Sequence, residues 1–161
     1  VSTRIALPVV AAEPGTGAAR AVCRAILADA REVAAQWRAV LADDGCGPLP
    51  VAMEPLPAEV AALALEMLDG GDDDAASADL TEAAMLRGEQ LQADGLRHRA
   101  VMRLHFLLRE AIWRAVQRTA ASPTDAERAI TWFDLPLTLA ASATLAAIED
   151  DSARVHAFAA A

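Results

Sequence analysis

The sequence predicts an all-α fold, a single bundle of five to six helices, and three observations predict it. Alanine, the strongest helix former, supplies about a quarter of the 161 residues. Apolar residues recur at three- and four-residue spacing over long stretches. No segment alternates like a strand, the run Ile5 to Val10 being the one partial exception. The length fits one domain. Ala buries little area, so a hydrophobic content of 55% overstates the core, and the larger apolar side chains must supply most of its transfer free energy.

Taken in order, residues 1–17 mix apolar side chains with Pro8, Pro14, Gly15 and Gly17 and predict an extended arm. From Ala18 to about Asp43, Val22, Ile26, Ala30, Val33, Trp37 and Val40 make one helical face. Gly45, Gly47, Pro48, Pro50, Pro55 and Pro57 predict a loop. A short helix is expected from Ala58 to Leu68, stopped by Gly70-Gly71. Asp79, with Glu82 three residues on, is the expected cap of a helix over roughly 80–93, which Gly95 ends. Leu96, Ala100, Leu104, Leu107, Ala111 and Ala115 then define the longest helix, to about Thr119. Ser122 is the expected cap of the last helix, with Pro123 in its first turn and Asp125 favoured there by the helix dipole. Pro136 should kink that helix, because it lacks an amide donor and crowds the preceding turn. The helical domain is therefore placed at 18–150, with 151–161 a C-terminal tail or the start of a linker helix.

Composition excludes several classes of chemistry. All 14 basic residues are Arg, and there is no Lys, Tyr or Asn. Without Lys there is no Schiff base, no pyridoxal phosphate attachment and no P-loop. A net charge of −9 repels a phosphate backbone, so no nucleic-acid partner is expected. Cys23 and Cys46 fit neither a disulfide framework nor a four-ligand zinc site; two free thiols suit a reducing cytoplasm. The N-terminus lacks a signal-like apolar run, and the longest uncharged stretch, Leu135 to Ile148, is short of a bilayer span of about 20 residues. The expectation is a cytoplasmic domain, or the soluble part of a larger protein, without membrane insertion.

The recognisable motifs are weak. Gly15-Thr16-Gly17 ahead of a helix superficially matches a dinucleotide-binding turn, but Arg20 holds the third glycine position and Pro8 spoils the strand. The acidic run from Asp69 to Asp79 lacks the order of an EF-hand and reads as a solvated, poorly ordered loop. No Gly-x-Ser-x-Gly, no His-Glu-x-x-His and no cofactor or metal motif is present. A helical-bundle enzyme would need distant acids and histidines to converge in a cavity.

The long helix carries the candidate site. His98, Met102, His105, Arg109 and Trp113 recur at i, i+4, i+7, i+11 and i+15 and share one stripe beside the apolar face, with Phe106 next to it. The two histidines lie about 10 Å apart along the axis, too far to share one small metal ion. One of them could serve as an axial haem ligand; a hydrogen-bonded boundary histidine is the plainer reading. Arg109, between Phe106 and Trp113, should be half-buried and paired with a carboxylate from another helix, Asp134 or Glu82. This helix has six Arg and one Glu between 97 and 118, a charge of +5 against −14 for the rest. That asymmetry predicts either intramolecular complementarity or a docking face for an acidic partner.

The segment from Gln92 to Trp113, with a helix ending near Gly95 and Leu107-Leu108-Arg109 leading into Ile112 and Trp113, resembles the central helix of the RsbRD-type N-terminal domain. That domain precedes the output modules of stressosome proteins, PucR-like regulators and some bacterial sensor histidine kinases. The sequence departs from it at Pro136 and in the Pro-rich loop before Ala58. The resemblance implies a non-catalytic signal-input domain, homodimeric, with non-haem globin-like packing and a C-terminal output module or partner signalling protein. The last helix, apolar nearly all round from Leu135 to Ile148, should be buried on several sides or shared with a second protomer. The alternative function is a helical small-molecule binder, with haem as one candidate, in which the stripe from His98 to Trp113 lines a pocket.

Overall fold

In the computed structural model the described residues are 15–160 for the backbone and, for side chains, 15–148 with 157, 159 and 160. The run Ile5 to Val10 and most of the expected arm lie outside them. Within them the fold is all-helical, without a strand. The helices are α1 (Thr16–Ala28), α2 (Ala30–Asp43), α3 (Leu56–Asp69), α4 (Asp73–Ala93), α5 (His98–Thr119) and α6 (Pro123–Ala159), with a 3-10 turn at Val51–Met53. Thr16 and Gly17, assigned to the arm from sequence, already belong to α1.

Helix α3 begins at Leu56, two residues before the expected Ala58, and two larger departures concern α1–α2 and α4. The helix expected from Ala18 to Asp43 is two helices, because Asp29 leaves helical geometry at φ −103° and ψ 24°. Its amide still donates to Ala25, and its carbonyl accepts from Glu32 and Val33, so the break loses few hydrogen bonds. It lets α1 pack on α3 while α2 packs on α5. The periodic face continues through the break, which is why periodicity alone misses it.

The acidic run is not a loop. Asp72, not Asp79, caps α4, its side chain accepting from the Ala75 amide at 3.0 Å. Asp73 and Asp74 fill the first turn, where negative charge meets the positive end of the helix dipole. What reads as a solvated stretch is the start of a helix.

Other signals hold. Gly95, at φ 85°, takes the left-handed conformation that ends α4: its amide donates to Gln92 and that of Leu96 to Leu91, each at 2.9 Å. Ser122 caps α6, its hydroxyl accepting from the Asp125 amide at 3.1 Å. The last helix runs on through the buried Pro136 and through residues 151–159 without interruption.

The core gathers side chains from every helix, with Trp37, Phe133, Ile26, Leu41, Met53, Leu56, Leu91, Leu108 and Ile112 fully buried. The Trp37 indole donates to the Leu104 carbonyl at 3.1 Å and pins α2 to α5. By length and composition Pro123–Ile148 is apolar enough to cross a membrane, but here α6 packs against α1, α3, α4 and α5. Part of its apolar circumference is thus absorbed within the chain, while Leu135 remains 47% exposed. The helices α4 and α6 approach closely at Gly88 of α4, where an added Cβ would stand 2.3 Å from the Thr144 carbonyl oxygen and 2.9 Å from the Ala147 Cβ.

Candidate functional site

The stripe on α5 straddles the boundary between core and solvent. At about 100° per residue, His105 lies about 20° to one side of His98 and Phe106 about 80° to the other. The structure divides them accordingly. His105 is buried, 7% exposed, whereas Met102 and Phe106 are 51% and 63% exposed. His98 and Trp113 are half-buried, and Arg109 is exposed. The stripe is therefore not one site: its solvent edge faces a groove and its inner edge a buried polar cluster.

The groove has a volume of about 1180 Å³. Two sequence features the periodicity argument set aside as loop build its walls. Pro48, Leu49 and Pro50, between α2 and α3, form one side, and the α4–α5 turn at Asp94, Gly95 and Leu96 forms the end. The floor is the outer face of α5, with Ala100, Met102, Leu104 and Phe106. Arg97, Arg99 and Arg103 also line it; neither His98 nor His105 does.

These guanidiniums differ. Arg103 is held by both oxygens of Asp44, at 2.7 and 2.6 Å, and its guanidinium lies 5.6 Å from the Phe106 ring centroid. That bidentate hydrogen bond is the leading cause that lowers the Asp44 carboxyl to about 2. Arg97 and Arg99 have no salt bridge or side-chain hydrogen bond among the described residues. The start of α5, where Arg97 is the N-cap, has no side-chain cap, and the positive end of its dipole lies at this end of the groove.

The inner edge holds a cluster that the sequence reading missed. Arg87 of α4 is buried, its Nε donating to the Ala52 carbonyl at 2.8 Å and its Nη2 to Glu59 at 2.6 Å. Both ring nitrogens of His105, and Nη1 of Arg87, are buried without a hydrogen-bond partner. Burial, with the Arg87 charge adding to it, pushes the His105 imidazole down to about 4. The signal was present: Leu80, Ala84, Arg87 and Leu91 follow core spacing, and an Arg in that register has to be buried and paired.

Arg109 pairs with Asp134 across α5 and α6 at 2.7 Å, as the sequence suggested. Both side chains are about half exposed, at 54% and 48%, in line with the half-burial expected of Arg109. Such a pair orients helices more than it stabilises them. Of the thiols, Cys23 is buried, which with the Asp69 charge pushes it up to about 12. Cys46 donates to the Asp44 carboxylate at 3.0 Å, which raises its pKa. Neither environment favours a thiolate. No group of three His, Cys, Asp or Glu side chains able to hold a metal occurs among the described residues. No family model, curated protein or solved structure matches the chain, so the site is read from its own geometry.

Proposed function

We infer that the chain is a non-catalytic input domain that binds a small amphiphile in the groove over the outer face of α5. One observation carries this: a groove of about 1180 Å³ combines an apolar floor and Pro-Leu-Pro wall with two guanidiniums outside any salt bridge among the described residues. An apolar pocket with a few polar groups at one place is the usual form of a small-molecule site. The stripe supplies Met102 and Phe106 to it, so the binding alternative and the input-domain reading meet in one place. The haem version is not favoured, since His105 lies on the opposite side of the groove floor. In the RsbRD-like setting, occupancy would pass to a homodimer partner or a C-terminal output module.

The test uses Nile red, a neutral apolar dye, and the variant Ala100→Trp. Ala100 is exposed and lines the groove, so a Trp there fills the space without touching the core. Enhanced, blue-shifted emission with the native protein and its loss in the variant is the expected result. Equal emission from the two proteins, or none from either, overturns the assignment.

A further inference from the structure

We propose that the natural occupant of this groove is a medium- or long-chain carboxylate, its head group at Arg97 and Arg99 and its tail along Met102, Leu104 and Phe106. The proposal rests on the groove being a binding site and adds the chemical class of the ligand. Three features of the groove lead to it.

Polarity is arranged along the groove rather than scattered. Arg97 and Arg99 sit at the first turn of α5, and the exposed apolar side chains Met102 and Phe106 come one and two turns later. From His98 to Phe106 α5 advances about 12 Å, the reach of an extended medium-chain acid. A head-and-tail ligand matches this order, whereas a uniformly apolar ligand would leave two guanidiniums at its end without a counter-charge.

The charge count favours a monoanion. Three Arg and one Asp line the groove. Asp44 already neutralises Arg103, and Asp94, which accepts from Gln90 at 3.0 Å, offsets one of the other two. One positive charge is left uncompensated. The uncapped amides at the start of α5 add the positive end of the helix dipole to the same place.

The whole molecule argues for a free amphiphile over a membrane surface. With a net charge of −9, the chain is repelled by an anionic bilayer, and two unpaired Arg are too few to reverse that. A single small anion in a local positive field does not meet the same opposition.

The experiment is competition against Nile red with dodecanoate, below its micelle concentration, and with dodecanol. Dodecanoate is expected to displace the dye at about ten-fold lower concentration, the scale of one charge-assisted contact. The Arg97→Gln/Arg99→Gln variant, altered only at exposed positions, should lose that preference, acid and alcohol then displacing the dye at similar concentrations once each is referred to the dye's own affinity for the variant. Added salt should narrow it in the native protein. Equal displacement by acid and alcohol, with the dye still lost in Ala100→Trp, overturns the carboxylate assignment and leaves the groove standing. Absence of dye binding removes both. Sedimentation of the native protein with phosphatidylglycerol vesicles, abolished in the double Gln variant and without any dodecanoate preference, would assign the site to a lipid surface and overturn the proposal.

Discussion

His105 and Arg87 set a pH dependence that belongs to single residues. The imidazole is buried, unbonded at both nitrogens and faces a guanidinium, so the folded state holds it neutral down to about pH 4. In the unfolded chain it protonates near pH 6.5. Between those values the unfolded state binds more protons, and stability falls as pH falls. The contribution is whole above pH 6.5 and declines towards pH 4, by about 3 kcal/mol in total. Asp44 acts in a lower window, because its contribution is present above its ordinary range and lost as pH falls towards 2. Urea unfolding at pH 7 and pH 4.5 separates them. His105→Leu, which replaces an unbonded ring with an apolar side chain of similar bulk, should be near neutral at pH 7 and should flatten the loss. An equal loss in both proteins would show that the imidazole is not its source.

Two glycines inside helices predict opposite outcomes at the scale of elements. Gly88 is where α4 and α6 touch; a Cβ there meets backbone, the Thr144 carbonyl, which cannot swing aside. Gly88→Ala should therefore destabilise by about 2 kcal/mol, the overpacking cost exceeding the helix-propensity gain. Gly17 in α1 has nothing within 4 Å of its would-be Cβ, and Gly17→Ala should stabilise by about 0.5 kcal/mol. Urea midpoints measure both, and the same sign for the two substitutions would contradict the packing described. These elements also show what was legible in advance. Helix existence, the Gly95 stop and the Ser122 cap follow from local chemistry and spacing, which leave Arg109 a choice between Asp134 and Glu82 that only the packing of α5 on α6 decides. The break at Asp29 does not, because both halves share one apolar phase and only the different partners of α1 and α2 explain it. The glycines and acids ahead of Asp79 resemble a loop in composition, which places the expected cap at Asp79, whereas the Ala75 amide finds Asp72. The groove was half legible: periodicity placed Met102 and Phe106 on one stripe, but its wall comes from Pro48, Leu49 and Pro50, whose position against α5 is a tertiary fact.

The whole molecule is organised around α6 and one core. Because α6 packs against four other helices and the buried cluster draws on all six, no helix can leave without exposing apolar surface of several others. The charge asymmetry supports the same organisation, since Arg103 and Arg109 of α5 pair with Asp44 and Asp134 of other segments, which offsets two of the five excess positive charges between 97 and 118 inside the molecule. Unfolding should then be a single transition. The three Trp report on it from different helices: Trp37 buried in α2, Trp113 and Trp132 partly buried on α5 and α6. Their fluorescence and the far-UV circular dichroism should trace one urea curve with a common midpoint. A ligand that binds only the folded groove should raise that midpoint for both signals together, by about 2.7 kcal/mol in free energy at a hundred-fold excess over its dissociation constant. A fluorescence transition that precedes the loss of helix would mean that α2 or α5 detaches first. The groove would then belong to a separately unfolding unit, and occupancy would shift the fluorescence curve alone.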